Sequence, residues 1–340
     1  MIKIAFRTLI CLSLIQFAPT ALADNDILSF DDSTLKEDLQ LPGWFKLSFL
    51  DISDNLEEAK TEGKQGIIIY FGRKDCAYCK AQLEINWGTR DIIDYTQKHF
   101  DVIAIDVRGQ REVTDLDGST YSEKQYAISQ KTNFTPTLLF LNLRGEQVLK
   151  IQGFRPPYQF RAALEYIADQ HYKKEPFSQY LARAEQALSY GQEELNENDV
   201  FMSPPYILDR SRIASKRPLL VLFEHPKCHA CDVLHAGPMI QTLIADAMNQ
   251  MDVVQLDTSR DLPLITPAGK KTTARAWAQE LELNFAPTLL FFDGHGQEII
   301  RVDSVIRLYR LHNVLNYVLD KGYIQYPTFQ LWRENYKSND

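Results

Sequence analysis

Residues 133–140 read Asn133-Phe134-Thr135-Pro136-Thr137-Leu138-Leu139-Phe140, and residues 284–291 read Asn284-Phe285-Ala286-Pro287-Thr288-Leu289-Leu290-Phe291; seven of the eight positions are identical at a displacement of 151. The same displacement relates Gly118 to Gly269, Gly145 to Gly296, Leu164 to Leu315, Tyr166 to Tyr317 and Tyr172 to Tyr323. Cys76-Ala77-Tyr78-Cys79 returns as Cys228-His229-Ala230-Cys231 at a displacement of 152, one residue of slippage such as a loop acquires after duplication. The chain therefore reads as two copies of one domain, not as a short-period solenoid.

Working outward, residues 66–71 form a continuous apolar run led by β-branched side chains, as a strand covered on both faces requires. The pattern then predicts a helix over 77–87, a buried strand over 100–107, and a helix over 122–132 opened by Ser122 with Gln125 three residues on. Strands over 137–141 and 147–151 turn at Arg144-Gly145, and a helix follows over 158–171. The second half repeats the order with strands at 219–223 and 251–256, helices from Cys231 and Thr273, strands around Leu289 and Ile299, and a helix over 308–319. Strand, helix, strand, helix, hairpin, helix defines an α/β fold, here a three-layer α/β/α sandwich occurring in tandem.

The 340 residues suit two ordinary domains, and 45% hydrophobic content with 24% charged residues excludes a disordered or fibrous chain. With 37 Lys and Arg against 45 Asp and Glu, a net charge of −8 argues against nucleic acid or an anionic membrane as the main partner. Lys3 and Arg7, an apolar run over 9–18, and Ala21-Leu22-Ala23 have the layout of a secretory signal peptide over 1–23. No later stretch offers about 20 consecutive apolar residues, so no retained membrane segment is expected. Cleavage would remove Cys11 and two cations, leaving a net charge of −10 and four cysteines in two pairs. Those pairs would enter a periplasmic or otherwise secreted setting where disulfides persist. The expected organisation is an acidic, poorly ordered extension over 24–41, domain 1 over 42–172, a helical linker over 173–215, domain 2 over 216–325 and a tail over 326–340. In the linker, Tyr180, Leu181, Ala184 and Leu188 have the spacing of a packed helix face.

A cysteine at a helix N-terminus meets unpaired N–H groups and the positive end of the dipole, which favours thiolate over thiol. Cys76 and Cys228 are thus the expected nucleophiles. Cys79 and Cys231, one turn deeper, are placed to resolve a mixed disulfide.

A strand, a turn, C-x-x-C opening a helix, and a proline element some 60 residues on resemble the thioredoxin fold; the details, with Gly118 and Gly145, are most similar to SoxW-type periplasmic thioredoxin-like proteins. The resemblance covers 42–172 and 216–323. It implies cis peptide bonds at Thr135-Pro136 and Ala286-Pro287, facing the cysteines and offering backbone groups to a bound peptide. It implies a thiol–disulfide oxidoreductase with protein thiol or disulfide substrates, a reductive bias, an electron donor in the membrane and no cofactor. Substrate choice would depend on surfaces around Tyr78 and His229. Two departures stand out. Asp75 and Lys227 replace the tryptophan that precedes the first cysteine, and Tyr70 and Leu222 occupy the place of a buried proton-shuttling aspartate. Asp75 should oppose the Cys76 thiolate and Lys74 favour it, whereas Lys227 and a protonated His229 favour that of Cys228, making domain 2 the more oxidising.

Other readings are weaker. A loop this small gains little as a structural disulfide. The 148 residues between Cys79 and Cys228 do not suit a shared zinc site, whose pairs lie about 15–20 apart. His225, His229 and His235 surround the second pair, and Cys231 with His235 at i, i+4 leaves copper or zinc delivery as an alternative. A disulfide oxidase or isomerase, and a partner scaffold that merely retains the pairs, are the others.

Overall fold

The computed structural model describes residues 28–186 and 194–336. The signal-peptide reading, the side chain of Ala184 and all of Leu188 lie outside the described residues. In the first half, β1 (Gly66–Gly72) runs parallel to β2 (Phe100–Asp106), β3 (Glu112–Thr114) and β4 (Thr120–Ser122) form a side hairpin, and β5 (Thr137–Asn142) and β6 (Gln147–Gln152) complete the sheet β2-β1-β5-β6. In the second half, β7 (Tyr206–Ile207) joins a small sheet with β10 (Pro263–Ile265) and β11 (Lys271–Thr273). The main sheet there is β13 (Glu298–Val302), β12 (Thr288–Phe292), β8 (Leu219–Glu224) and β9 (Asp252–Asp257), in that order. The two main sheets are the same design: one parallel and two antiparallel pairings around a central strand.

Alternation along the central strands builds the layers. Ile68 and Tyr70 of β1 enter one core with Trp87, Phe140 and Phe160, while Ile67, Ile69 and Phe71 enter another on the opposite face with Tyr126. In β8, Leu220 and Leu222 face one core and Leu219, Val221 and Phe223 the other. Gly145 and Gly296 turn the two sheet hairpins with φ of 76° and 80°, a region closed to most side chains.

Several elements differ from expectation. The helix after Cys76 is α-helical only over Ala77–Ala81 and continues as a π-helical turn over Gln82–Asn86. Helices Ile52–Thr61, Arg90–His99 and Thr242–Met248 carry no prediction above, their short amphipathic stretches being flanked by stronger strand signals. The helix capped by Ser122 forms with its reciprocal Gln125 bond but ends at Ser129. The extension is ordered where it is described: Leu35 and Leu39 N–H bond the carbonyls of Asp75 and Lys74, and Phe30 packs edge-on to Tyr78 and Phe154. The tail forms helix Phe329–Asn335, whose Phe329 and Trp332 complete the domain 2 core. In the linker helix Phe177–Gln186, Leu181 and Tyr180 pack on the domain 1 core.

The halves also exchange side chains. Phe134, from the domain 1 repeat motif, sits in the domain 2 core with its ring 5.3 Å from Phe329. Its counterpart Phe285 joins the domain 1 core, 5.8 Å from Phe177 and beneath the Arg155 guanidinium at 3.2 Å. The face carrying each proline loop is therefore turned toward the other domain.

Candidate functional site

Each C-x-x-C follows the central strand of its sheet and opens a helix. Cys76 is the N-cap of helix Ala77–Ala81, and its sulfur accepts the Cys79 backbone N–H at 3.0 Å. The Thr135 hydroxyl donates to the same sulfur at 3.3 Å, and the Thr135 carbonyl lies 3.5 Å away. The structure thus brings together Cys76, Cys79 and Thr135-Pro136, whose peptide bond is cis. Both thiols are free and buried. Burial alone works against a Cys76 thiolate; a hydrogen bond from the Cys79 thiol, the Arg73 charge, the Thr135 hydroxyl and the Arg310 charge outweigh it and bring the group down to about 6. Burial and then the neighbouring Cys76 push the Cys79 thiol well up, with the Tyr70 hydroxyl as a small counterweight. One sulfur is thereby set to attack and the other to stay protonated until it is needed.

The second pair repeats the frame. Cys228 caps helix His229–Ala236, its sulfur accepts the Cys231 N–H at 3.2 Å, and the two sulfurs form a disulfide with Cα atoms 5.2 Å apart. Ala286-Pro287, also cis, lines a small cleft with Ala230 and Val233 from the Cys228 helix and Arg155, Pro156 and Gln159 from domain 1.

Sequence reasoning missed the groups that domain 2 and the termini bring to Cys76. Arg310 is buried; its Nη2 donates to the Thr135 carbonyl at 2.9 Å and its guanidinium lies 3.2 Å over the Tyr78 ring. Tyr78, expected on a substrate surface, is buried here: its hydroxyl accepts the Arg307 N–H at 2.8 Å and donates to Asp32 at 2.9 Å. Asp32 in turn accepts the backbone N–H groups of Tyr309 and Arg310. Arg333, from the terminal helix, is lowered to about 10 by burial and by the charges of Arg73 and Arg310, and remains a cation at neutral pH. Asp75 is held by Arg73 at 3.2 Å and Arg108 at 3.1 Å, which blunts its repulsion of the thiolate. Lys74 is exposed, 3.7 Å from Asp38, so the cation that acts on Cys76 from the turn after β1 is Arg73, not Lys74. The only sequence signal for Arg310 was its place as third residue of a repeated helix.

His229 is half-buried beside its pair. His235, weighed above as a metal ligand with Cys231, is turned to Glu224, with Nε2 3.0 and 3.1 Å from its two oxygens, and Gln255 donates to the same carboxylate at 2.7 Å. Among the described residues no group of three or more His, Cys, Asp or Glu is arranged to hold a metal ion.

Two four-stranded sheets covered on both faces, each with a helix-capping cysteine pair against a proline loop, define a tandem thiol–disulfide oxidoreductase. The chain belongs to the thioredoxin-like domain family, whose sequence model matches it twice, over residues 52–168 and 208–319. Among solved structures it is similar to a thioredoxin-fold protein from Helicobacter pylori, at 23% identity over 37% of this chain and 82% of that one, with a TM-score of 0.31. A thioredoxin from Thermus thermophilus gives 21% identity over 34% and 81% of the two chains, with a TM-score of 0.27. The DsbH oxidoreductase gives 15% over 38% and 91%, also at 0.27. Comparison with curated proteins finds no match.

Proposed function

We propose that this oxidoreductase is exported to the periplasm, where it reduces protein disulfides or oxidised cysteines and is recharged by an electron donor in the membrane. The observation that carries the reading is the asymmetry of the first pair, an ionisable Cys76 beside a protonated Cys79. The Cys76 thiolate attacks one sulfur of a substrate disulfide, the S–S bond breaks, and the departing thiolate takes up a proton. The Cys79 thiol then gives up its proton and attacks the Cys76 sulfur, releasing the second substrate thiol and leaving a Cys76–Cys79 disulfide. Two electrons pass to the substrate, and an external donor must restore them. The Cys76 value of about 6 lies nearer the about 7 of thioredoxin than the about 3.5 of the strongest periplasmic oxidant, which favours reduction over oxidation. Among the described residues no helix is long and apolar enough to cross a membrane.

Arg73, Arg310 and Arg333 all act on Cys76, while Asp75 is occupied by Arg73 and Arg108. We therefore infer that the first pair is more oxidising than its sequence neighbours Lys74 and Asp75 alone suggest. Insulin precipitation driven by dithiothreitol tests the activity: Cys76→Ser or Cys228→Ser should each reduce it and the double variant abolish it. Full activity in the double variant would refute the reading. Reduction potentials of full-length chains with serines at one pair test this, and cell fractionation tests export.

A further inference from the structure

We infer that Arg310, a domain 2 residue, is a positioning residue for the domain 1 nucleophile, so that the first redox centre is composite and complete only when the two domains are docked. The inference rests on the oxidoreductase reading and adds to it a residue from the other domain.

Three observations carry it. First, Arg310 and Cys76 meet at one atom: Nη2 donates to the Thr135 carbonyl at 2.9 Å, and the Cys76 sulfur lies 3.5 Å from that oxygen. When Cys76 is a thiol, its S–H can serve the carbonyl; when it ionises, that donor disappears. A buried carbonyl left without a donor is unfavourable, and Arg310 keeps it partnered in both states. Ionisation then costs no orphaned group, and the sulfur retains its donors from Cys79 N–H and the Thr135 hydroxyl.

Second, the guanidinium is held in place. It lies over the Tyr78 ring at 3.2 Å, its Nη1 reaches the Ser304 hydroxyl at 3.4 Å, and Asp32 accepts the backbone N–H of Arg310 at 2.8 Å. A buried planar cation held by three contacts, on a backbone that is itself anchored, loses little further freedom when the charge beside it appears.

Third, duplication supplies an internal control. Arg310 is the third residue of helix Leu308–Leu319, and Gln159 is the third residue of the equivalent helix Pro157–Ala168. Gln159 is likewise buried and lines the cleft beside Ala286-Pro287. At this helix position only the copy facing Cys76 carries a charge; at the other proline loop the buried cation is Arg155, which precedes its helix and lies over Phe285 instead of over a residue of the C-x-x-C pair.

The other groups acting on Cys76 are Cys79 on its own helix, Tyr70 and Arg73 on β1 and its exit, Asp75 next in sequence, and Arg333 on the terminal helix. Of these, Arg73 and Asp75 form a pair, and Arg333 comes from the same half of the chain as Arg310. Docking of domain 2 and its terminal helix therefore adds two cations to the surroundings of a sulfur on domain 1.

The test titrates the Cys76 thiolate by absorbance near 240 nm in full-length chain carrying Cys228→Ser and Cys231→Ser, as the difference from the same chain with Cys76→Ser. Arg310→Gln and Arg310→Met remove the charge with side chains of similar length, one polar and one apolar; Arg310→Lys keeps it. The parent should half-ionise near pH 6, and either neutral variant that folds, as judged by its helical circular dichroism, should move this upward by about one unit. At pH 6 the thiolate fraction then falls about fivefold. Arg310→Lys should recover at least half of the shift. An unchanged midpoint in a folded neutral variant overturns the inference, as does an equal shift in Arg310→Lys. Neither result bears on the oxidoreductase reading, which insulin reduction scores separately in the intact chain.

Discussion

Thr135→Val isolates one hydrogen bond at the nucleophile. Valine keeps the branched shape and the backbone carbonyl that Arg310 holds, and removes only the hydroxyl that donates to the Cys76 sulfur at 3.3 Å. A hydrogen bond to a charged group contributes about 1.5–3 kcal/mol. At about 1.36 kcal/mol per pH unit, its loss raises the ionisation of Cys76 from about 6 to about 7–8. The consequence for rate depends on pH, because a more basic thiolate is also a better nucleophile, with a Brønsted slope of about 0.4–0.5. At pH 7 the smaller thiolate fraction and the greater nucleophilicity nearly cancel, and the rate of disulfide reduction changes by less than about twofold. At pH 5.5 the fraction dominates, and the rate falls about three- to tenfold. Stopped-flow reduction of a small aromatic disulfide at both pH values, in chain carrying Cys228→Ser and Cys231→Ser, is the assay. A tenfold loss at pH 7, or no loss at pH 5.5, would refute the assignment of the hydroxyl as a thiolate donor.

Three further outcomes follow from the same geometry. Because Cys76 is lowered in the folded chain, its ionisation stabilises the reduced protein above pH 6, by about 1 kcal/mol at pH 7 and about 4 kcal/mol at pH 9 relative to an ordinary thiol at 9.0, and the gain is lost as pH falls through 6; urea unfolding of reduced chain against Cys76→Ser between pH 5 and 8 should show that rise, and parallel curves would exclude it. Phe134→Ala should destabilise domain 2, in whose core the ring lies, by about 3–5 kcal/mol although the residue belongs to the domain 1 repeat; hydrogen exchange should show the loss of protection in β8 and β12, and a loss confined to β5 would contradict the exchanged packing. Glu224→Ala leaves buried His235 and half-buried Gln255 without their shared acceptor and should cost several kcal/mol, whereas Glu224→Leu with His235→Leu should recover part of it; equal thermal melts for the single and double variants would show that the cluster is not coupled.

The sheet strands were legible because each is a short apolar run whose alternate residues face two cores, and because duplication presented the pattern twice. The C-x-x-C pairs and proline loops were legible for a related reason: the chemistry at Cys76 depends on a cap, a neighbouring N–H and a turn, all of which recur at a fixed displacement. The short helices Arg90–His99 and Thr242–Met248 were not, since helices of this length draw stability from packing more than from their own pattern. The extension looked disordered from its acidity, but Phe30 and Asp32 find partners 46 residues or more away in sequence.

The sequence by itself thus determined two thioredoxin-like domains and where each places its C-x-x-C pair and proline loop. Only the tertiary structure decided that Arg310 and Arg333 stand at Cys76, that Tyr78 is covered, and that His235 turns to Glu224 instead of to the cysteines. Local spacing encodes a cap or a strand, because those bonds close within a few residues. The charge at a buried sulfur is a sum over everything folded around it, and here Arg310 and Arg333, which join the nearby Arg73, lie more than 230 positions along the chain, where no local pattern connects them to the site.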